Sequence, residues 1–247
     1  MIATPCAAAL REAAQRLRGH SETPRLDAEL LLAHLLQKSR TWLFTWPEHP
    51  LDAPRQAAYQ TLIERRRHGE PIAYLTGRRE FWSLTLEVTP ATLAIAHERP
   101  RCQIRAVDRS AAALAVARRN QARLGIHNLS FAQGDWLAPL QGERFHRILA
   151  NPPYIASGDP HLRRGDLRYE PPEALIGGID GLCDLRHIIA SAPASLHDGG
   201  MILLEHGYDQ GAEIVKLLLA VGFHQTRTLC DLSGHGRVAV GVYRSVA

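Results

Sequence analysis

Asn151-Pro152-Pro153-Tyr154 follows the short, mostly apolar run Arg147-Ile148-Leu149-Ala150, and the reading of these residues decides the fold of the second half of the chain. The apolar run reads as a buried strand. The two prolines have no backbone N–H to donate, so the strand must stop at them. They also stiffen the turn and leave backbone carbonyls that no helix or ladder uses. An Asn side chain beside a free carbonyl is a pair of acceptors suited to a planar –NH2 group. A Tyr ring next to that pair can cover the face of the planar group. A plain strand-ending turn is the simpler alternative reading of the same residues.

Working outward from this turn, strands and helices alternate. Gln103 to Asp108 reads as a strand ending in an acid. Ser110 caps the next helix, Ala111 to Leu124, which Gly125 closes. Asn128 to Ala132 reads as another strand, followed by Gly134-Asp135-Trp136. After the Asn-Pro-Pro-Tyr turn come a helix around Leu185 to Leu196, a strand Met201 to Glu205, and a helix Gly211 to Ala220. Two closing strands, about Gln225–Cys230 and Arg237–Tyr243, are joined by Ser233-Gly234-His235-Gly236, which reads as a hairpin turn. The alternation predicts an α/β fold with a doubly wound, Rossmann-like parallel sheet. Ligands of such sheets bind beyond the carboxyl ends of the strands. Asp108, Asp135, Trp136 and Asn151 all fall at predicted strand ends on that rim.

The first third reads differently. Thr4 is a candidate N-cap with Pro5 at the first helical position, and Gly19 ends that helix. Thr23-Pro24 opens a second helix with Leu26, Leu30, Leu31, Ala33 and Leu35 at helical spacing. A third runs from about Pro54 to Arg67 and stops at Gly69. The aromatic stretch Trp42 to Pro47 between them reads as a loop whose rings fill the core. Residues 1–75 are therefore expected to form a small all-helical domain. Residues 76–90 are expected to be a linker with a β-hairpin, on the alternation of Leu84, Leu86 and Val88, and residues 91–247 the α/β domain.

Composition narrows the classes. The chain has 247 residues, 45% apolar and 22% charged, which is ordinary for a soluble globular protein. No apolar run approaches the ~20 residues of a membrane span, and no signal-peptide pattern opens the chain. Cys6, Cys102, Cys183 and Cys230 are scattered and read as reduced cysteines of a cytoplasmic protein. The thirteen His residues make no ligand cluster, so no metal site is expected. The net charge of +4 is mildly basic. The arginine runs 65–67, 78–79, 118–119 and 163–164 read as solvated faces.

Four stretches carry a resemblance. Arg25-Leu-Asp-Ala-Glu-Leu-Leu-Leu32, Gly69-Glu-Pro-Ile-Ala-Tyr-Leu-Thr-Gly77, Glu80-Phe-Trp82 and Asn151-Pro-Pro-Tyr154, in that order, resemble the peptide-chain release factor glutamine methyltransferases. The resemblance extends from about residue 5 to about 244. It implies an S-adenosylmethionine-dependent enzyme that methylates the glutamine side-chain amide nitrogen in the Gly-Gly-Gln loop of release factors, with a helical domain for substrate recognition. It implies catalytic roles for Asn151, Pro152 and Tyr154. Asp108 would bind the cofactor ribose, where position alone equally suits a cap of the next helix. Trp136 would pack on the adenine, where core filling is the alternative, with Asp135 at the adenine edge and Asn151 also near the cofactor. Pro153 would keep the substrate turn rigid, and Glu170, in Tyr169-Glu-Pro-Pro-Glu-Ala-Leu175, would lie near the substrate. Release factors are the expected partners, ribosome association is a further expectation, and no membrane or direct DNA contact is expected. Two other functions fit the same residues. One is a release-factor-binding module without turnover. The other is an adenine-N6 nucleic-acid methyltransferase, which shares the Asn-Pro-Pro-Tyr motif but here lacks a target-reading domain or a basic stripe.

One element of the family pattern is not found. The family carries Asp-Leu-Gly-x-Gly-x-Gly after a first strand, preceded by an Ile-Pro-Arg-Pro loop. Here Val88-Thr89-Pro90-Ala91-Thr92-Leu93 resembles the lead into that loop, and Ala94 to Pro100 resembles the end of the first helix. About one strand-turn-helix, roughly 30 residues, is absent at the join near Leu93/Ala94. Gly177-Gly178 and Gly234 lack the strand-then-helix context of a cofactor loop. The strands ending in Asp108 and Asn151 are then expected either to pair directly or to face a gap.

Overall fold

Two hydrophobic cores organise the chain. In a computed structural model, the chain divides into units of residues 1–94 and 95–247. The structure describes residues 4–77, 79–81, 84–86, 91–163 and 169–245. Arg78, Trp82, Val88 to Pro90 and Arg164, used in the reading above, lie outside these.

The first unit packs three long helices, α1 (Cys6–Leu17), α2 (Pro24–Leu36) and α4 (Ala53–Arg67), with short helices α3 (Arg40–Thr45) and α5 (Ile72–Thr76). On α1, Cys6, Ala9, Leu10, Ala13 and Leu17 recur at helical spacing and are buried. They meet Leu31, Leu32, Leu43, Tyr59 and Ile63 in one cluster. Two carboxylates are buried on α2. Asp27 accepts from Arg66 Nε at 2.7 Å, Ser21 Oγ at 2.7 Å and Thr23 Oγ1 at 3.0 Å. Glu29 accepts from Arg25 Nε at 2.6 Å and Arg40 Nη2 at 2.7 Å. The Arg-Leu-Asp-Ala-Glu stretch is thus an ion-pair network tying α2 to α3 and α4. Burial would raise the Glu29 carboxyl, but the bonds from Arg40 and Arg25 more than offset it and leave it lowered.

Four expectations for this unit need correction. It is not wholly helical: β1 (Thr4–Pro5) and β2 (Pro50–Leu51) form a short antiparallel ladder. Thr4 lies in that ladder and donates its hydroxyl to Gln56 Oε1 at 2.9 Å, so α1 starts at Cys6 without a side-chain cap. The aromatic stretch is not a loop but α3, capped by Ser39 Oγ, which accepts from Trp42 N–H at 3.1 Å. Trp42 packs on the core, whereas Phe44 and Trp46 are exposed. Nor is the triplet 65–67 wholly solvated, because Arg66 is tucked against Asp27.

A hairpin of β3 (Arg79–Phe81) and β4 (Leu84–Leu86) follows. Helix α6 (Ala91–Glu98) then runs unbroken across the join at Leu93/Ala94. The remaining elements are β5 (Ile104–Asp108), α7 (Ala111–Leu124), β6 (Leu129–Gln133), β7 (Phe145–Ala150), α8 (Pro172–Leu175), α9 (Cys183–Ser191), β8 (Leu196–Glu205), α10 (Gly211–Ala220), β9 (Phe223–Cys230) and β10 (Gly236–Tyr243). Helix α7 has the expected ends: Ser110 Oγ accepts from Ala113 N–H at 3.2 Å, and Gly125 closes it at φ 63°.

The sheet is in two pieces. β5 and β6 form a parallel pair, and β7-β8-β10-β9 form a separate four-stranded sheet in which β10 is antiparallel to both neighbours. In doubly wound sheets the strand order begins 3-2-1-4-5. Here β6 and β5 take the third and second positions, β7 and β8 the fourth and fifth, and no described strand takes the first. Of the two expected outcomes for β5 and β7, the structure has the gap. Arg105 of β5 pairs with Glu143, just before β7, at 2.9 Å, but no ladder joins the strands among the described residues. One face of the larger sheet is well covered: Ile148, Ile202 and Leu204 pack with Leu185 and Ile188 of α9 and Ile214 and Leu218 of α10. On the alternate side of β7, Leu149 is 54% exposed, an unusual position for an apolar residue in a parallel strand.

The buried polar contacts of the first unit set its sensitivity. Tyr59 Oη donates to the Ala28 carbonyl at 2.8 Å in a buried position. Tyr59→Phe should cost about 1 kcal/mol. Asp27→Ala, which removes the buried carboxylate that Arg66, Ser21 and Thr23 donate to, should cost about 3 kcal/mol or more. Urea titration of the two variants against the parent checks both values; equal effects would contradict the assigned burial of the ion pair.

Candidate active site

Beyond Ala150 the chain leaves β7 through Asn151-Pro152-Pro153-Tyr154. The β7–β8 ladder ends at Ala150↔Leu204, and the prolines offer no further donors. The turn is instead held from the other side. Ile155 N–H donates to Leu175 O at 2.9 Å, Gly177 N–H to Ile155 O at 3.0 Å, and Ser157 N–H to Gly178 O at 2.9 Å. This short parallel bridge brings the glycine cluster 177–181 against the turn. A Cβ on Gly177 would stand 2.4 Å from the Pro153 carbonyl oxygen, and one on Gly181, at φ +74°, 2.3 Å from that of Tyr154. The glycines dismissed as a cofactor loop therefore form the bed of the Asn-Pro-Pro-Tyr turn.

Asn151 is exposed and Pro152 buried, and no hydrogen bond among the described residues uses the Asn151 side-chain amide or the Pro152 carbonyl. Tyr154 packs against the core of the larger sheet, and its hydroxyl reaches Glu205 Oε1, at the end of β8, at 3.4 Å. Burial, with the Glu205 charge adding to it, holds its phenol above the usual range. Nearby, Asp180 is held below the usual carboxylate range by Arg186, 2.6 Å away, and by the Leu182 N–H.

The other expected site residues are placed as follows. Asp108, half-buried, accepts from Ser110 N–H on Oδ1 at 2.8 Å, the turn-capping alternative, while its Oδ2 has no partner among the described residues. Asp135 is exposed. Trp136, at φ 46°, packs against the core of the larger sheet and donates its indole N–H to Asp184 Oδ1 at 3.2 Å, so in this structure it fills core. Glu170 is half-buried, close in sequence to α8. Arg109, next to Asp108, donates to the Glu173 carbonyl at 3.1 Å, which brings the acidic-proline loop beside the end of β5. Asp108 and Asn151 belong to different pieces of the sheet, and no hydrogen bond links them. Glu205 and Gln210 escaped the sequence reading, although the strand-end logic that selected Asp108 and Asn151 also selects Glu205.

Residues 8–77 match the family described as PrmC N-terminal domain, and residues 90–163 match the methyltransferase small domain. A release factor glutamine methyltransferase of Vibrio cholerae is 41% identical, with 96% of each chain covered. One of Pseudomonas aeruginosa is 43% identical over 90% of this chain and 93% of its own. The chain belongs to the release factor glutamine methyltransferase family. The solved protein-(glutamine-N5) methyltransferase of Alicyclobacillus acidocaldarius is 22% identical over 62% of this chain and 92% of its own, with a TM-score of 0.35. The Vibrio cholerae match spans 276 aligned positions, whereas 96% of 247 residues is about 237. Nearly forty positions of that relative thus face no residue here, about the size of one strand-turn-helix unit.

The glycine bed makes a sharp prediction. Gly181→Ala must combine a left-handed backbone with a clash on Tyr154 O, whereas Gly199→Ala, at φ +73°, meets nothing within 4 Å. Thermal unfolding should show Gly199→Ala costing about 1 kcal/mol and Gly181→Ala about 1–3 kcal/mol more. Equal losses would mean that the loop does not press on the turn.

Proposed function

We propose that this chain methylates the side-chain amide nitrogen of the glutamine in the Gly-Gly-Gln loop of peptide-chain release factors, with S-adenosylmethionine as the methyl donor. One observation carries the reading: Asn151 and Pro152, consecutive at a strand's C-terminal end, offer a side-chain and a backbone acceptor that no hydrogen bond among the described residues engages. The names of the relatives agree with it. The substrate works in translation termination, so the proposal includes a cytoplasmic site of action.

An amide nitrogen is a poor nucleophile because its lone pair is delocalised into the carbonyl. The two acceptors would take its two N–H bonds and fix its orientation. They would also stabilise positive charge developing on that nitrogen. Pro153 keeps the turn rigid, and the Tyr154 ring, anchored through Glu205, would shield the amide from water. Glu170 would contribute to the substrate rim.

The described residues fit the donor in part. Asp108 Oδ2 can accept from a ribose hydroxyl, and the exposed Asp135 can meet an adenine edge. Trp136 would have to leave Asp184 to stack on the ring. For the methionine half, no described segment carries a Gly-x-Gly-x-Gly run after a strand. When bound, S-adenosylmethionine supplies a methyl group activated by a sulfonium centre. The unfilled first strand position also favours a second reading, a module that binds release factors without turnover.

Incubating the chain with isotope-labelled S-adenosylmethionine and a release factor separates the two. Methylation on the Gly-Gly-Gln glutamine, found by peptide mass spectrometry, supports the enzyme. Asn151→Ala should lower turnover about a hundredfold with release-factor binding little changed. Full turnover in that variant would reduce the motif to a strand-ending turn.

A further inference from the structure

Gln210 is engaged at both ends of its side-chain amide. Its Oε1 accepts from Gly207 N–H at 2.9 Å, and its Nε2 donates to the Tyr154 carbonyl at 3.0 Å and lies 3.5 Å from the Gly181 carbonyl. Gly207 is itself fixed, because its carbonyl accepts from His206 Nδ1 at 2.7 Å and from Gln210 N–H at 3.0 Å. His206 is fully buried in this corner. One side chain therefore ties the end of β8 to the turn leaving β7 and to its glycine bed. It does so where the β7–β8 ladder has stopped and two prolines have removed the backbone donors that would continue it.

We propose that Gln210 is a positioning residue for glutamine methylation. It fixes the Tyr154 carbonyl and, through the stiff Pro152-Pro153 segment, the direction in which Asn151 Oδ1 and the Pro152 carbonyl point. A carboxamide is the group this position requires, since one end must accept and the other donate. The inference rests on the proposed methylation, but the clamp itself is a geometric statement with its own readout.

Gln210→Glu keeps an acceptor for Gly207 N–H but turns an acceptor toward the Tyr154 carbonyl. Gln210→Met keeps similar bulk and removes both bonds. In both variants, kcat for release-factor methylation should fall about a hundredfold, the scale of a misplacement near 1 Å, with KM for the release factor and the unfolding temperature little changed. Amide hydrogen exchange at Ile155 and Ser157 should accelerate about tenfold, as expected when a local opening becomes easier. Unchanged kcat in an active parent would overturn the proposal. So would a kcat loss that only follows a fall in unfolding temperature. If the parent shows no turnover, the proposed function fails, and the exchange measurement alone decides: unaltered exchange at Ile155 and Ser157 overturns the clamp, and faster exchange upholds it.

Discussion

A parallel strand inside a sheet needs a hydrogen-bonded neighbour on each edge, because a buried backbone group without a partner costs on the order of 1–3 kcal/mol. In this chain β5 and β7 each have a ladder on one edge only, among the described residues. The central position of the doubly wound order is unfilled, and much else follows from that. The sheet falls into a two-stranded and a four-stranded piece. Leu149 stands exposed in mid-strand. Asp108 and Asn151, which a continuous doubly wound sheet would bring to one rim, sit on different pieces. What joins the pieces is side-chain contact: the Arg105–Glu143 ion pair, the Arg109 bond to the Glu173 carbonyl, and Trp136, which packs on the core of the larger sheet and bonds to Asp184. The exposed ion pair contributes about 0–1 kcal/mol, less than a ladder of backbone bonds.

The Asn-Pro-Pro-Tyr turn does not share this weakness. It leaves β7, which is paired with β8 in the larger sheet and backed by α9 and α10. The glycine bed, the Tyr154–Glu205 contact and Gln210 hold the turn from three directions. The chain thus combines a well-supported Asn-Pro-Pro-Tyr turn with a sheet in which no described strand takes the central position.

What was legible in the sequence was local. Ser110 and Gly125 marked both ends of α7, Gly211 to Ala220 was read residue for residue, and the apolar run before Asn151 gave β7. The missing strand-turn-helix near Leu93/Ala94 is an expectation of the family resemblance, not of spacing or periodicity. What escaped depends on residues far apart in the chain. Ser39 caps α3 over an aromatic stretch whose composition suggested a loop. Thr4 joins Gln56 across fifty residues of chain rather than capping its own helix. Trp136 reaches Asp184, and Gln210 reaches Tyr154, through contacts no periodicity encodes. The role of Gly177 and Gly181 appears only once the Pro153 and Tyr154 carbonyls are seen against them.

The central claim is that the unfilled strand position leaves the methionine half of the donor unsupported. Isothermal titration calorimetry of S-adenosylmethionine into the purified chain tests it most directly. The account predicts binding much weaker than micromolar. A dissociation constant of about 1 µM or below, equivalent to about −8 kcal/mol or more favourable, would contradict it and show that another segment of this chain holds the cofactor.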